Sequence, residues 1–297
     1  MSEIGTGERR TGLPGGEAVT AHGPAADAAA AGAARAGGTW AGAIAAEWHK
    51  LRTVRSTAAL AATIGAGFVL CLLWSLYASQ YWDGLSAERR AKLTVAPPTQ
   101  FLELILPVCG VVLGALTLTS EYATGMIRTT LTVLPRRLPL LVAKALAAAG
   151  GVFGAGLVAL AAALVAGRAI AGGRPMPGFE GSLVEHLPHL VAVALTTAAI
   201  TLMALGAAAL LRSTAATITI GMGLMFVAPP VVRLLPAPWN DRIWWLLPTG
   251  FPNQIAPVPG STAGDDGLPA PVAGALLVAY VAVMVGAGAY AFARRDA

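Results

Sequence analysis

Six long apolar stretches constrain this chain more than anything else in it, at about 57–78, 101–119, 140–167, 187–211, 215–234 and 271–292. Each runs about 19–28 residues, so as a helix it covers roughly 29–42 Å at ~1.5 Å per residue. The hydrocarbon core of a bilayer is about 30 Å thick, so each stretch is long enough to cross it with some tilt. A membrane strand would instead be short and alternate apolar with polar residues, and no such alternation runs through this sequence. The prediction is an all-α polytopic membrane protein with six transmembrane helices within residues 39–297.

Composition closes off the alternatives. Only 12% of residues are charged and 56% are hydrophobic, with mean hydropathy +0.68. Soluble domains carry about 25% charged residues, so a water-soluble globule is excluded. A net charge of +5 would point to nucleic acid in a soluble protein. Here Lys and Arg of membrane-flanking loops explain it, and no nucleic-acid partner is expected. Cys71 and Cys109 lie inside apolar stretches and read as small buried hydrophobes, not as a disulfide or a metal site. Gly150, Gly151, Gly154, Gly156, Gly221, Gly223, Gly274, Gly286 and Gly288 interrupt the stretches. In a bilayer, small residues of this kind let helices approach closely.

Residues 1–38 are rich in Gly and Ala with scattered charge and no apolar period, the composition of a disordered tail. They lack the pattern of a secretory signal. More of the membrane-flanking Lys and Arg fall on the side of Lys50, Arg128 and Arg137 than on the other. The positive-inside rule therefore places the N-terminus in the cytoplasm, and with six spans the C-terminus as well. Trp40, Trp48, Trp82, Trp239, Trp244 and Trp245 sit at the ends of the stretches, where interfacial anchoring is expected.

Two segments are more elaborate than spans or turns. In residues 40–55, Trp40, Ile44, Trp48 and Leu51 share one helical face, which predicts an amphipathic helix in the headgroup layer before the first span. The second is the insert at 120–137. Ile127, Leu131 and Leu134 form a stripe at helical spacing, Pro135 ends it, and Arg136 and Arg137 follow where positive charge is favoured. The connection Leu211-Arg212-Ser213-Thr214 shows how short a turn this chain makes when nothing more is needed.

The insert, with Glu121-Tyr122, Gly125, Ile127-Arg128-Thr129-Thr130-Leu131 and Pro135-Arg136-Arg137, resembles the loop after the second span of ABC-2 type transporter permeases. The entry Ala46-Glu47-Trp48-His49-Lys50-Leu51-Arg52 and the Trp/Pro-rich Trp244-Trp245-Leu246-Leu247-Pro248-Thr249 are similar to that family as well. Ala123 and Met126 depart from its pattern, where a basic residue and a Thr are frequent. The resemblance implies the membrane subunit of an exporter in the cell membrane, working as a homodimer or beside a second permease. It implies that the insert is a coupling helix docking on a separate ABC ATPase, with Glu121, Tyr122, Gly125, Arg128 and Thr129 as contact or hinge residues. ATP and Mg are expected in that partner, because this chain has no GxxxxGK[ST] phosphate-binding loop. No cofactor, metal site or catalytic role is expected here.

Three features remain. Glu103 lies just inside the second span. An intramembrane carboxylate marks a possible transport path, unless it snorkels or pairs with an Arg. Glu185, His186 and His189 are close in sequence, but Pro188 interrupts their spacing. Pro229, Pro230, Pro236 and Pro238 are expected to close the fifth span, with the residues to about 270 forming either broken helices dipping into the membrane or a plain loop. The rival functions are an ion-coupled secondary transporter and a non-transporting membrane partner protein.

Overall fold

A computed structural model describes residues 40–124, 137–260 and 267–294. Among these residues the chain is helical, with no strand. In order come α1 (Trp40–Thr53), α2 (Arg55–Asp83), the short α3 (Ala87–Arg90), α4 (Gln100–Thr124), α5 (Arg137–Ala171) and α6 (Leu183–Leu211). Then follow α7 (Thr214–Met222), a π turn (Gly223–Val227), α8 (Ala228–Arg233), α9 (Trp239–Trp244), a 3-10 turn (Pro248–Gly250), α10 (Phe251–Ile255) and α11 (Ala270–Arg294). Six helical segments are long and apolar enough to cross a membrane: Arg55–Asp83, Gln100–Ser120, Pro139–Ala171, Leu183–Leu211, Thr214–Arg233 and Ala270–Arg294. They coincide with the six apolar stretches. The expected tail at 1–38 lies outside the described residues.

Several boundaries differ from expectation for local reasons. Helix α6 starts at Leu183, because Ser182 caps it: its Oγ accepts from the Glu185 N–H at 3.3 Å and donates to the Glu185 carboxylate at 2.8 Å. The cap satisfies one of the backbone donors that the first turn leaves open, and the Glu185 carboxylate orients the serine hydroxyl. Pro188, which was expected to interrupt the spacing of Glu185, His186 and His189, lies inside α6. Pro229 and Pro230 do not close the fifth span. The chain widens into the π turn just before them, with the Ala228 N–H reaching back to the Gly223 carbonyl, and helix continues to Arg233. A π turn absorbs the bonds and ring clashes that two prolines would otherwise impose. Trp82 is buried against Ala78, Val95, Ala171, Met176 and Phe179, so it anchors the loops to the bundle and not to headgroups. Arg90 stacks over it at 5.6 Å and donates to its carbonyl at 3.0 Å.

Helix α6 is the hub of the bundle. It packs against α4, α5 and α11, and 72% of its most apolar window is buried, against 17% for α2, for Thr214–Arg233 and for α11. The outer helices therefore leave broad faces for lipid or another chain. The centre is built from small residues, including Ala194, Ala198, Ala204 and Ala208. Buried Thr197 and Thr201 donate back to the Val193 and Thr197 carbonyls at 2.8 and 2.9 Å, which satisfies their hydroxyls within the helix. A Cβ at Gly114 would collide with the Thr201 carbonyl, and one at Gly206 with the Met284 carbonyl. These contacts are the small-residue helix packing of a membrane bundle.

The turn from α6 to α7 is as short as the sequence implied. Arg212 adopts a left-handed conformation (φ 52°), and the Ser213 side chain accepts from the Ala216 N–H at 3.3 Å to start α7.

Candidate functional site

At one end of the bundle α4 stops at Thr124 and α5 starts at Arg137; residues 125–136 of the expected insert lie outside the described residues. Glu121 and Tyr122 are on the last turn of α4. Gly125, Arg128 and Thr129 lie outside the described residues. Helices α4 and α5, which flank the insert, are 25 and 35 residues long. At ~1.5 Å per residue they measure roughly 38 and 52 Å, more than a ~30 Å hydrocarbon core requires.

Helix α1, which carries Trp40, Ile44, Trp48 and Leu51, docks beside the start of α5. The buried Lys144 ammonium meets the Glu47 carboxylate at 2.9 Å. Two turns further into α5, the Trp48 ring lies over Gly151, where a Cβ would come within 3.1 Å of it. The entry helix is thus pinned to the third span. Lys144 and Glu47 are 97 positions apart, and no local pattern announces the pair.

The opposite end holds Glu103. Its Oε1 accepts from the Thr99 hydroxyl at 2.6 Å and faces His189 Nε2 of α6 at 3.4 Å. The partner is therefore a histidine and not the arginine that was one alternative for it. The other ring nitrogen, Nδ1, lies 2.8 Å from the Ala256 carbonyl. A carbonyl only accepts, so Nδ1 carries a proton and donates to it. His186 turns elsewhere, to the Ser182 carbonyl at 3.0 Å, so Glu185, His186 and His189 do not converge.

Broken helices cover this end. Phe251 is fully buried with Ala199, Ala273 and Leu277. Ala199 lies about 24 Å along α6 at ~1.5 Å per residue, so the 245–256 segment dips into the bundle instead of looping over it. Non-helical backbone at such depth needs its polar groups satisfied by protein. Three side chains do this: His189 for the Ala256 carbonyl, Gln254 for Trp245 (3.2 Å) and Tyr280 for Leu246 (3.2 Å). Two cavities result. One, of about 220 Å³, lies between α4, α6, the π turn and the dipping segment; the other, of about 740 Å³, lies beneath the loops around Val95, Gly178 and Gly260. Gln100, Glu103 and Asn253 line both.

Six spans, a docked entry helix and a dipping segment before the last span give an architecture that a sequence comparison then decides. The family model described as ABC-2 family transporter protein matches residues 13–297. The chain belongs to the ABC-2 transporter family. No curated protein matches it. As an ABC-2 family member it is a multi-pass membrane protein and a permease of an ABC transporter. In this ABC-2 permease, Glu103 stands on the second span as the sequence indicated. Its histidine partner and the dipping segment around it were out of reach, because they depend on contacts between α4, α6 and residues near 256.

Proposed function

We propose that this chain is the membrane-spanning subunit of an exporter driven by a separate ABC ATPase, with no catalysis of its own. The observation that carries the proposal is the family match across all six spans, joined to a sequence without a phosphate-binding loop. ATP and Mg belong to the partner. The partner docks on the insert through Glu121, Tyr122, Gly125, Arg128 and Thr129, and the long α4 and α5 transmit its motion into the bundle. Two permease copies, or this chain and a second permease, enclose the path between their little-buried outer helices. Both termini face the cytoplasm of the cell in this reading.

Co-purification with an ABC ATPase, followed by transport in vesicles, tests it. Glu121→Ala and Gly125→Trp are expected to abolish ATP-driven transport while the chain still inserts. Unchanged transport in both variants overturns the docking role.

The pair of partly buried Glu103 and buried His189 supports a second reading, an ion-coupled transporter, since ionisable groups inside spans mark ion pathways. Export that survives ATP depletion but stops when the proton gradient is clamped favours that reading. Export lost on ATP depletion, with the gradient held, favours the ABC reading.

A further inference from the structure

We infer that the 220 Å³ cavity beside Glu103 binds the protonated amine of a compact apolar organic cation. The inference rests on the permease reading only in calling that ligand cargo.

The cavity has an apolar wall of Leu104, Pro107, Ile200, Met225 and Phe226 and a carboxylate at its mouth. Most of the Glu103 side chain is withdrawn from solvent, with 18% exposed. Its Oε1 is occupied by the Thr99 hydroxyl and turned to His189. Among the described residues its Oε2 takes no hydrogen bond, so one oxygen of a largely buried carboxylate is open to a donor.

A second, independent feature lies on the α6 wall. Thr196 is 2% exposed, and its hydroxyl has no hydrogen-bond partner. Its neighbours Thr197 and Thr201 satisfy theirs within the helix. An ammonium group offers the N–H donors that a carboxylate oxygen and a hydroxyl both accept.

The surrounding charge has one sign. Glu103 and Glu180 line the outer cavity, and no Lys or Arg among the described residues lines either cavity. With His189 doubly protonated the two carboxylates still leave the site net negative. A low-dielectric cleft lined by one sign of charge concentrates ions of the other. An anion is therefore disfavoured, and a neutral ligand could donate to the carboxylate but would leave the net negative charge uncompensated. The inner volume is below the usual range for a drug-sized ligand, so the amine is a compact one.

The full chain in nanodiscs, without ATPase, is titrated calorimetrically with 4-phenylbutylammonium, 4-phenylbutanol and 4-phenylbutanoate. Saturable binding of the amine alone is expected. Glu103→Gln should weaken it at least tenfold and Thr196→Val several-fold. Thr196→Val removes a hydroxyl that bonds to nothing, so it keeps the test alive should Glu103→Gln fail to fold. Equal binding of amine and alcohol, or amine affinity unchanged in a folded Glu103→Gln or Thr196→Val protein, overturns the inference. No saturable amine binding beyond partition into empty nanodiscs overturns it too. Because the ATPase is absent, loss of this site leaves the motor-docking reading standing, and failure of ATPase co-purification leaves this site standing.

Discussion

The Lys144 ammonium and the Glu47 carboxylate meet at 2.9 Å with side chains only 1% and 12% exposed, tying α1 to α5 two turns from where α5 begins. Withdrawing one partner from such a pair weakens the compensation of a buried charge, at a cost of up to about 3 kcal/mol. Glu47→Gln should lower the unfolding free energy in mixed SDS micelles by about that amount. The double variant Glu47→Gln/Lys144→Met should recover most of the loss. A double variant as unstable as the single one would show that the charges are not coupled.

The Asp83–Arg174 pair makes the converse case. It is bidentate, at 2.7 and 2.9 Å, but its side chains are 54% and 35% exposed. Exposed pairs gain little after screening and side-chain ordering. Asp83→Asn should leave the thermal unfolding midpoint unchanged within error at 0.15 M salt. A clear drop that disappears at 1 M salt would contradict this.

Glycines divide into two sets with opposite expectations. A Cβ at Gly206 would strike the Met284 carbonyl of α11, and one at Gly288 would come within 2.7 Å of the Gly206 carbonyl. Backbone cannot step aside as a flexible side chain does. Gly206→Leu should therefore cost about 3 kcal/mol, at the upper end of ordinary overpacking, and loosen α11 to proteolysis. At Gly274 and Gly286 a Cβ meets nothing within 4 Å. Alanine there should change stability by no more than about 0.5 kcal/mol. Sensitivity at Gly286→Ala equal to that at Gly206→Leu would mean that a partner covers that face.

How much of this was legible depends on the range of the cause. The spans were, because hydrophobic length is a property of consecutive residues. The start of α6 was also within reach, since Ser182 and Glu185 stand at capping-box spacing; Pro188 drew attention away from it. Apolar length alone carried the fifth span through Pro229 and Pro230, but the π turn at Gly223–Val227 that accommodates them has no local signature. Of the functional residues, Glu103 stood out as a lone carboxylate in an apolar run. His189 could not be assigned to it without the α4–α6 contact. Trp82 was read as an interfacial anchor because loop packing cannot be seen from a span end.

The hydrogen bond from His189 to the Ala256 carbonyl, at 2.8 Å, yields the last prediction. It links α6 to the far end of the dipping segment, which Gln254 and Tyr280 hold at Trp245 and Leu246. His189→Ala removes the donor and leaves a carbonyl unsatisfied within the bundle. Such a loss costs about 1–3 kcal/mol, equivalent to roughly tenfold to hundredfold in an opening equilibrium. Hydrogen exchange of the amides between 245 and 256 should quicken by that factor in nanodiscs. Exchange in α5 should not change, since α5 takes no part in the bond. Thr196→Val, whose hydroxyl bonds to nothing, should leave both regions at the parent rate. Equal protection of 245–256 in His189→Ala and the parent would mean that Phe251 and its apolar neighbours hold the segment without the histidine.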